Sequence, residues 1–475
     1  MMARSFDLIV IGAGSGGIAA SRRAASYGAR VLLIEGTRVG GTCVLRGCIP
    51  KKLMMYAAEM RGVFLDAAAF GWSDIDADFD VGRWRRAKDQ ELDRLEGIYR
   101  QMLSNAGVQV LQGQAQLAGP HTVEVGGERY HADRILIATG GVPSVAAMPG
   151  LERAWTSDDI LQIDQLPQSL LVIGAGYIAV EFASILCGLG VKVAMAYRGD
   201  LPLRGFDEDL RRHAAQALQA QGVVLHPGSA MDALVRTDTG FELRRTGAPA
   251  LQAQVTLNAT GRQPNVRRLG LETVDIQVDE WGAIPVDADS RTLASGVWAI
   301  GDVTNRVNLT PVAIAEGRAF ADTEFGGRHV QVSHVNVASA VFCSPPIASV
   351  GLSEADAQAQ CPTDVYVSQF RPMKKAFVGA DERTFMKLLV DRNTDRVIGM
   401  HMQGADAPEI MQALAISLSA GATKRDFDRT MALHPTSAEE FVLMREPVRR
   451  HGHNPNGYLP AVSNANDESS KAVSA

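Results

Sequence analysis

The feature that most constrains this chain is a glycine turn set between two apolar strands, and it occurs twice. Phe6 to Ile11 (FDLIVI) is a continuous apolar run, as expected of a parallel strand buried on both faces. Gly12, Gly14 and Gly17 follow in G-x-G-x-x-G spacing, with Ser15 and Gly16 between them. The pattern predicts a helix to Tyr27, stopped by Gly28, then a second strand over Ala29 to Ile34 that ends at Glu35. The first glycine permits a tight bend, and the second lets the backbone approach a pyrophosphate. The third lets helix and strand pack closely, while the acid at the strand end takes ribose hydroxyls.

The second copy begins at Leu170 to Ile173 (LLVI), followed by Gly174, Ala175 and Gly176, with Ala179 in the third glycine's place. A helix is expected over Tyr177 to Leu189, carrying Ile178 and Glu181, and a strand over Val191 to Ala196. Where the first unit has its acid, this one has Tyr197, then Arg198 and Arg204. Losing the carboxylate and gaining two guanidiniums suits a ribose 2′-phosphate. The plainer reading is two solvated arginines after a strand. Two dinucleotide sites in one chain point to an electron relay, with FAD as the natural occupant of the first and NADPH of the second. Ile135 to Gly140 (ILIATG, with Thr139) and Leu257 to Gly261 (LNATG) are strand-then-glycine endings, one after each unit. Val297 to Asp302 (VWAIGD) reads as a further buried strand. Its terminal acid either meets a flavin ribityl chain or simply turns the backbone.

Among 475 residues there are only 5 cysteines, too few to be the disulfide framework of a small secreted domain. Cys43 and Cys48 lie together in GGTCVLRGCIPKK, residues 40–52. No third or fourth Cys or His stands nearby to complete a zinc site, so no metal is expected. A redox-active disulfide fits better, if a distorted helical turn brings the sulfurs within reach; two unrelated thiols in a helix is the alternative. Cys187, Cys343 and Cys361 are isolated and read as packing residues. Near the end comes His434-Pro435-Thr436-Ser437-Ala438-Glu439-Glu440. A His with a carboxylate five residues on could be a base and its orienter, but Thr436 and Glu439 could equally form a capping box on a helix opened by Pro435. Spacing alone favours neither.

The charge balance, 47 Lys+Arg against 53 Asp+Glu, gives no electrostatic reason to expect nucleic acid. No apolar run reaches the roughly 18–20 residues needed to cross a bilayer. The short, acid-containing first strand does not read as a signal peptide, so the cytoplasm is expected. Residues 451–475, rich in Asn and Ser, read as a mobile tail.

Taken together, these segments resemble the FAD-dependent pyridine nucleotide–disulfide oxidoreductases over roughly residues 5 to 450. GGTCVLRGCIPKK is similar to the family's redox-active disulfide motif, GAGYIAVE to its NADP(H) turn and HPTSAEE to its C-terminal base motif. The resemblance implies an α/β fold with two Rossmann-like dinucleotide-binding domains and an α+β C-terminal dimerisation domain. It divides the chain into an FAD-binding part (1–145), an NADPH-binding domain (146–265), a second FAD-binding segment (266–335) and an interface domain (336–450). It also implies a homodimer in which His434, oriented by Glu439, serves Cys43 and Cys48 of the other chain. Lys51 paired with Glu181 would lie beside the flavin, and Tyr177 would be a lid over the nicotinamide pocket. Thr42, Ala115 and Thr310 would join Thr139, Gly140 and Asp302 around the flavin. Within the family the register is most similar to members that act on glutathione disulfide, and Ser15, Arg22, Tyr99 and Arg318, with His434, fall at their substrate-contacting positions. Glu316 and the Lys374-Lys375 pair have no counterpart in that pattern.

Overall fold

The computed structural model describes residues 4–73, 75, 77–144 and 147–452. The first strands are β1 (Arg4–Ile11), β2 (Val31–Glu35), β3 (Gln109–Gln112), β4 (Ala115–Gly119), β5 (Thr122–Val125) and β6 (Glu128–Ile137). They form one sheet in the order β3-β2-β1-β6-β5-β4, and strand Val297–Ala299 joins it beside β6. β1 runs parallel to β2 and to β6, with Ile11 opposite both Ile34 and Ile137. The apolar run of β1 is continuous because alternate residues serve two cores. Ile9 and Ile11 pack with Leu32 and Ile34 on one face, and Leu8 and Val10 with Val31 and Leu33 on the other.

The helices are α1 (Ser15–Ser26), α2 (Gly41–Leu45), α3 (Cys48–Ala67), α4 (Val81–Asn105), α5 (Ser157–Ile160), α6 (Tyr177–Gly188), α7 (Glu208–Gln221), α8 (Thr310–Glu324) and α9 (Glu354–Gln360), followed by shorter ones and a longer helix Ala407–Ser419. Helix α1 packs on α8 at close range: a Cβ on Gly317 would lie 2.5 Å from the Gly16 carbonyl.

A second sheet has the order Val224–His226, Lys192–Ala196, Ser169–Ile173, Val255–Asn258, with all neighbours parallel. A three-stranded antiparallel sheet, Met231–Thr237, Gly240–Arg245 and Ala248–Ala253, is inserted within it. The last sheet has six antiparallel strands: Ser339–Val341, Ile347–Gly351, Val397–Gln403, Thr384–Asp391, Thr363–Phe370 and Arg449–His451. His451, read from sequence as the first residue of the tail, thus ends a strand paired to Thr363; the rest of that expectation, from residue 453, lies outside the described residues. Among the described residues no helix is long and apolar enough to cross a membrane.

Candidate active site

Both glycine turns have the geometry their spacing requires. Gly12 has φ +107°, and a Cβ there would lie 2.4 Å from the Ala138 carbonyl oxygen. Gly17 backs onto the Gly12 carbonyl at 1.9 Å for an added Cβ, which is the close helix–strand packing expected of a third glycine. Gly174 repeats this with φ +124° and the Ala259 carbonyl at 2.2 Å. Gly14 and Gly176 instead have at most one atom near an added Cβ, and so leave room for a ligand's backbone approach.

A cavity of about 770 Å³ opens at the first turn and runs between the sheets, a size suited to a large ligand. Gly12, Gly14, Ser15, Gly16 and Glu35 line it. So do Thr42, Cys43, Cys48 and Lys51, with Ala115, Thr139, Gly140, Asp302 and Thr310. Tyr177, Ile178 and Glu181 of the second unit share the same wall. Of the residues assigned to the flavin from sequence, Gly17 alone is not in the wall. Glu35 is held rigidly: one carboxylate oxygen accepts from the Ala13 amide at 2.8 Å, the other from the Thr37 amide at 2.7 Å and hydroxyl at 2.9 Å. A fixed, buried acceptor at a strand end beside a glycine cradle fits the adenosine half of a dinucleotide.

The two cysteines do not share one distorted helix. Cys43 lies in α2, the chain breaks at Arg46 and Gly47, and Cys48 begins α3. Gly47 makes this possible, since a Cβ there would lie 2.9 Å from the Thr42 carbonyl. The two thiols are free and hydrogen-bonded to one another. That bond from Cys43, together with the Lys51 ammonium and the Thr310 hydroxyl, holds the Cys48 thiol down to about 6 against the effect of burial. Its position at a helix N-terminus acts in the same direction. The same bond and burial push the Cys43 thiol up. Charge in the pair therefore rests on Cys48.

Lys51 donates to Glu181 Oε1 at 2.5 Å, and their side chains are 9% and 1% exposed. The same oxygen accepts from the Phe342 amide at 3.0 Å, and the Phe342 ring lies 4.7 Å from the Lys51 Nζ. Glu181 Oε2 is buried with no protein partner, in a side chain that lines the cavity. Burial raises the Tyr177 hydroxyl and the Asp302 carboxyl pKa. Asp302 sits in the turn Gly301–Thr304, and Glu316, which no motif explained, holds that turn by accepting from the Gly301 amide at 2.7 Å. His334 and Arg306 in turn hold the other oxygen of Glu316 at 2.8 Å. Sequence reasoning also missed Arg262, Asn265 and Arg267 in the cavity wall.

The remaining assigned residues lie outside the cavity. Gly174, Ala175 and Gly176 form the turn after strand Ser169–Ile173, and Gly261 follows strand Val255–Asn258. Arg198 and Arg204 are exposed beyond strand Lys192–Ala196. Arg22 on α1 and Arg318 on α8 are exposed on paired helices, while Tyr99 on α4 packs against the Val44–Leu45–Leu92 cluster beside Cys43. His434 Nδ1 stands 3.1 Å from both Glu439 carboxylate oxygens, with the His side chain 80% exposed. Thr436 Oγ1 accepts from the Glu439 amide at 3.3 Å, so the cap and the His–Glu pair coexist. Cys187, Cys343 and Cys361 are not at the cavity; burial pushes the Cys343 thiol up to about 12. Among the described residues there is no cluster of three or more metal-ligating side chains.

Comparisons with known proteins agree with this arrangement. A family profile described as pyridine nucleotide-disulphide oxidoreductase matches residues 6–317, and one for that family's dimerisation domain matches residues 337–445. The chain is 48% identical over 446 residues to glutathione reductase of Burkholderia cepacia, a match spanning 94% of this chain and 99% of that one. It is 46% identical over 459 residues to glutathione reductase of Nostoc sp. (strain PCC 7120), spanning 94% and 100%. The solved copper(II) complex of the HOCl-induced flavoprotein disulfide reductase RclA from Escherichia coli superposes with a TM-score of 0.84 at 28% identity, over 93% of this chain and 99% of that one. With two glycine turns, a cysteine pair between them and these relatives along nearly its whole length, the chain belongs to the pyridine nucleotide–disulphide oxidoreductase family.

Proposed function

We propose that the protein reduces glutathione disulfide with NADPH, through FAD and the Cys43–Cys48 couple, as a homodimer in the cytoplasm. The observation that carries this reading is the placement of both cysteines in one cavity with the first glycine turn, Glu35, and the pair formed by Lys51 and Glu181 of the second unit. NADPH, oxidised glutathione and one proton give NADP⁺ and two glutathione thiols. FAD bound along the cavity supplies the relay of two electrons from the nicotinamide to the disulfide.

The chain's own residues do the rest. Arg198 and Arg204 hold the 2′-phosphate, and Tyr177 covers the mouth of the nicotinamide end. Lys51 keeps positive charge buried beside the cavity, and Glu181 keeps that ammonium in place. Cys48 carries the thiolate. Cys43 attacks the disulfide, forming a mixed disulfide and releasing the first glutathione; Cys48 then attacks Cys43, closing the intramolecular disulfide and releasing the second. Because the Cys43 thiol is pushed up, it needs a base, and the exposed His434 of the other chain takes its proton and returns it to the leaving thiolate. Arg22, Tyr99, Arg318 and Ser15 bind the glutathione carboxylates and backbone. The FAD unit comprises residues 1–145 and 266–335, since strand Val297–Ala299 completes the first sheet. NADPH binds within 146–265, which holds the second sheet, and 336–450 forms the interface. A reductant-consuming disulfide reductase belongs in a reducing compartment.

Two inactive variants test the shared site. Cys48→Ser and His434→Ala chains, each inactive alone, should recover about a quarter of wild-type activity when unfolded and reassembled together, because half the dimers are mixed and each contains one complete site. No recovery, with mixed dimers verified by native mass spectrometry, overturns the shared-site reading.

A further inference from the structure

The segment 197–206 that carries Arg198 and Arg204 is held from three sides. Leu203 is buried with φ +56°, and its amide donates to the Ala175 carbonyl of the second glycine turn at 2.8 Å. Phe206, whose amide donates to Leu203 at 3.1 Å, lines the cavity. From below, Arg211 on α7 donates Nε to the Pro202 carbonyl at 2.8 Å and Nη2 to the Leu201 carbonyl at 2.9 Å. One planar guanidinium thus grips two successive carbonyls just before the left-handed Leu203 and the exposed Arg204.

Helix α7 is itself pinned. Its capping residue Asp207 accepts from Lys387 Nζ at 2.7 and 2.8 Å and from the Glu354 amide at 2.9 Å. Lys387, 1% exposed on strand Thr384–Asp391, also reaches Asp209 at 2.8 Å and Glu354 at 2.5 Å. The loop is therefore fixed through Arg211 to a helix that is anchored in the C-terminal sheet.

We propose that Arg211 is a positioning residue for NADPH selectivity: it touches no cofactor, and it sets the path of the backbone that aims Arg204 at the 2′-phosphate. This rests on the reading of Arg198 and Arg204 as the phosphate pair. A left-handed non-glycine residue next to a recognition arginine is strained, and two bonds from one fork are suited to hold it.

The test uses FAD-loaded enzyme and steady-state kinetics with NADPH and with NADH. Arg211→Met keeps the apolar stem and removes the fork. It should raise the KM for NADPH about tenfold, a change of 1.4 kcal/mol in binding, and leave the KM for NADH and both kcat values within about twofold. Arg211→Lys, which can reach one carbonyl, should fall between. Inhibition by 2′,5′-ADP should weaken in parallel, and that by 5′-AMP should not. If wild type shows no preference for NADPH, the phosphate reading fails. If wild type prefers NADPH and Arg204→Ala removes the preference while Arg211→Met keeps it, the phosphate reading stands and the positioning role is refuted. A loss equal for NADPH and NADH in both Arg211 variants also refutes it, as plain structural damage.

Discussion

Removing the Lys51–Glu181 pair one partner at a time should move the Cys48 thiol in opposite directions. Lys51 stands one helical turn after Cys48 and lowers its pKa, while Glu181 raises it. Residues three apart on a helix stand roughly 6 Å apart, and at an effective dielectric of about 20 one unit charge is then worth ~2.8 kcal/mol, or about two pH units in the thiol's titration. Lys51→Met alone is the wrong perturbation. It would leave Glu181, 1% exposed, as an uncompensated buried carboxylate at a cost of about 3–5 kcal/mol. Glu181→Gln, whose amide oxygen can still accept from the Lys51 ammonium, and the neutral double variant Lys51→Met/Glu181→Gln are milder. The first should carry the Cys48 titration below its value of about 6, and the double variant should titrate about two units above the first. The assay is the iodoacetamide reaction rate of the reduced, FAD-loaded enzyme as a function of pH. Arg46 lies between the cysteines, so trypsin places Cys43 and Cys48 on separate peptides and mass spectrometry reads each rate alone. Equal titrations in the two variants, or an upward move in Glu181→Gln, would refute the Coulombic account.

His434→Ala and Glu439→Gln should lower glutathione disulfide turnover by about 10²–10³ and about tenfold respectively, while the NADPH half-reaction, followed by stopped flow, keeps its rate. Gly12→Ala should yield protein lacking flavin absorbance, because its Cβ would meet the Ala138 carbonyl at 2.4 Å; Gly28→Ala, also at positive φ but with nothing within 4 Å, should keep it. Burial would raise the Glu354 carboxyl, but hydrogen bonds from Arg449 and Lys387 outweigh it and hold it down to about 2. Because the folded value is depressed, its contribution is complete above the ordinary value of 4.5 and is lost as pH falls toward 2. Allowing for solvent screening, Glu354→Gln should be less stable by about 2 kcal/mol at neutral pH in urea unfolding, with the difference shrinking steadily on acidification below about pH 4.5. A constant difference across that range would contradict the assignment.

The glycine turns were legible because everything that defines them lies within one strand, one bend and one helix. Gly12 makes the tight bend and Gly17 the close helix–strand contact that their spacing assigned them, and Glu35 stands at its strand end in the cavity wall. The cysteine pair was legible as chemistry but not as structure: Gly47 turns one imagined helix into two, and its reason is a contact with the Thr42 carbonyl. The ambiguity at His434 dissolves because Glu439 uses its amide for the cap and its carboxylate for the imidazole. Arg211, Glu316 and Phe342 could not be found from spacing. Their work is done on backbone atoms, which carry no residue signature. Lys387 left one trace, a lone cation inside the apolar run Phe385 to Val390 (FMKLLV), but its partner Asp207 is 180 residues away.

The buried carboxylate of Glu181 has consequences for how the molecule is made. Its ammonium partner is 130 residues earlier in the chain and its amide partner 161 residues later. At synthesis rates of about 5–20 residues per second, roughly 8–32 s separate the emergence of Glu181 from that of Phe342. During that interval the N-terminal sheet can fold and the second glycine turn can form, but the acid still lacks the amide and the aromatic wall that complete its burial. The centre where the two glycine units and the cysteines meet is therefore finished only after most of the chain exists.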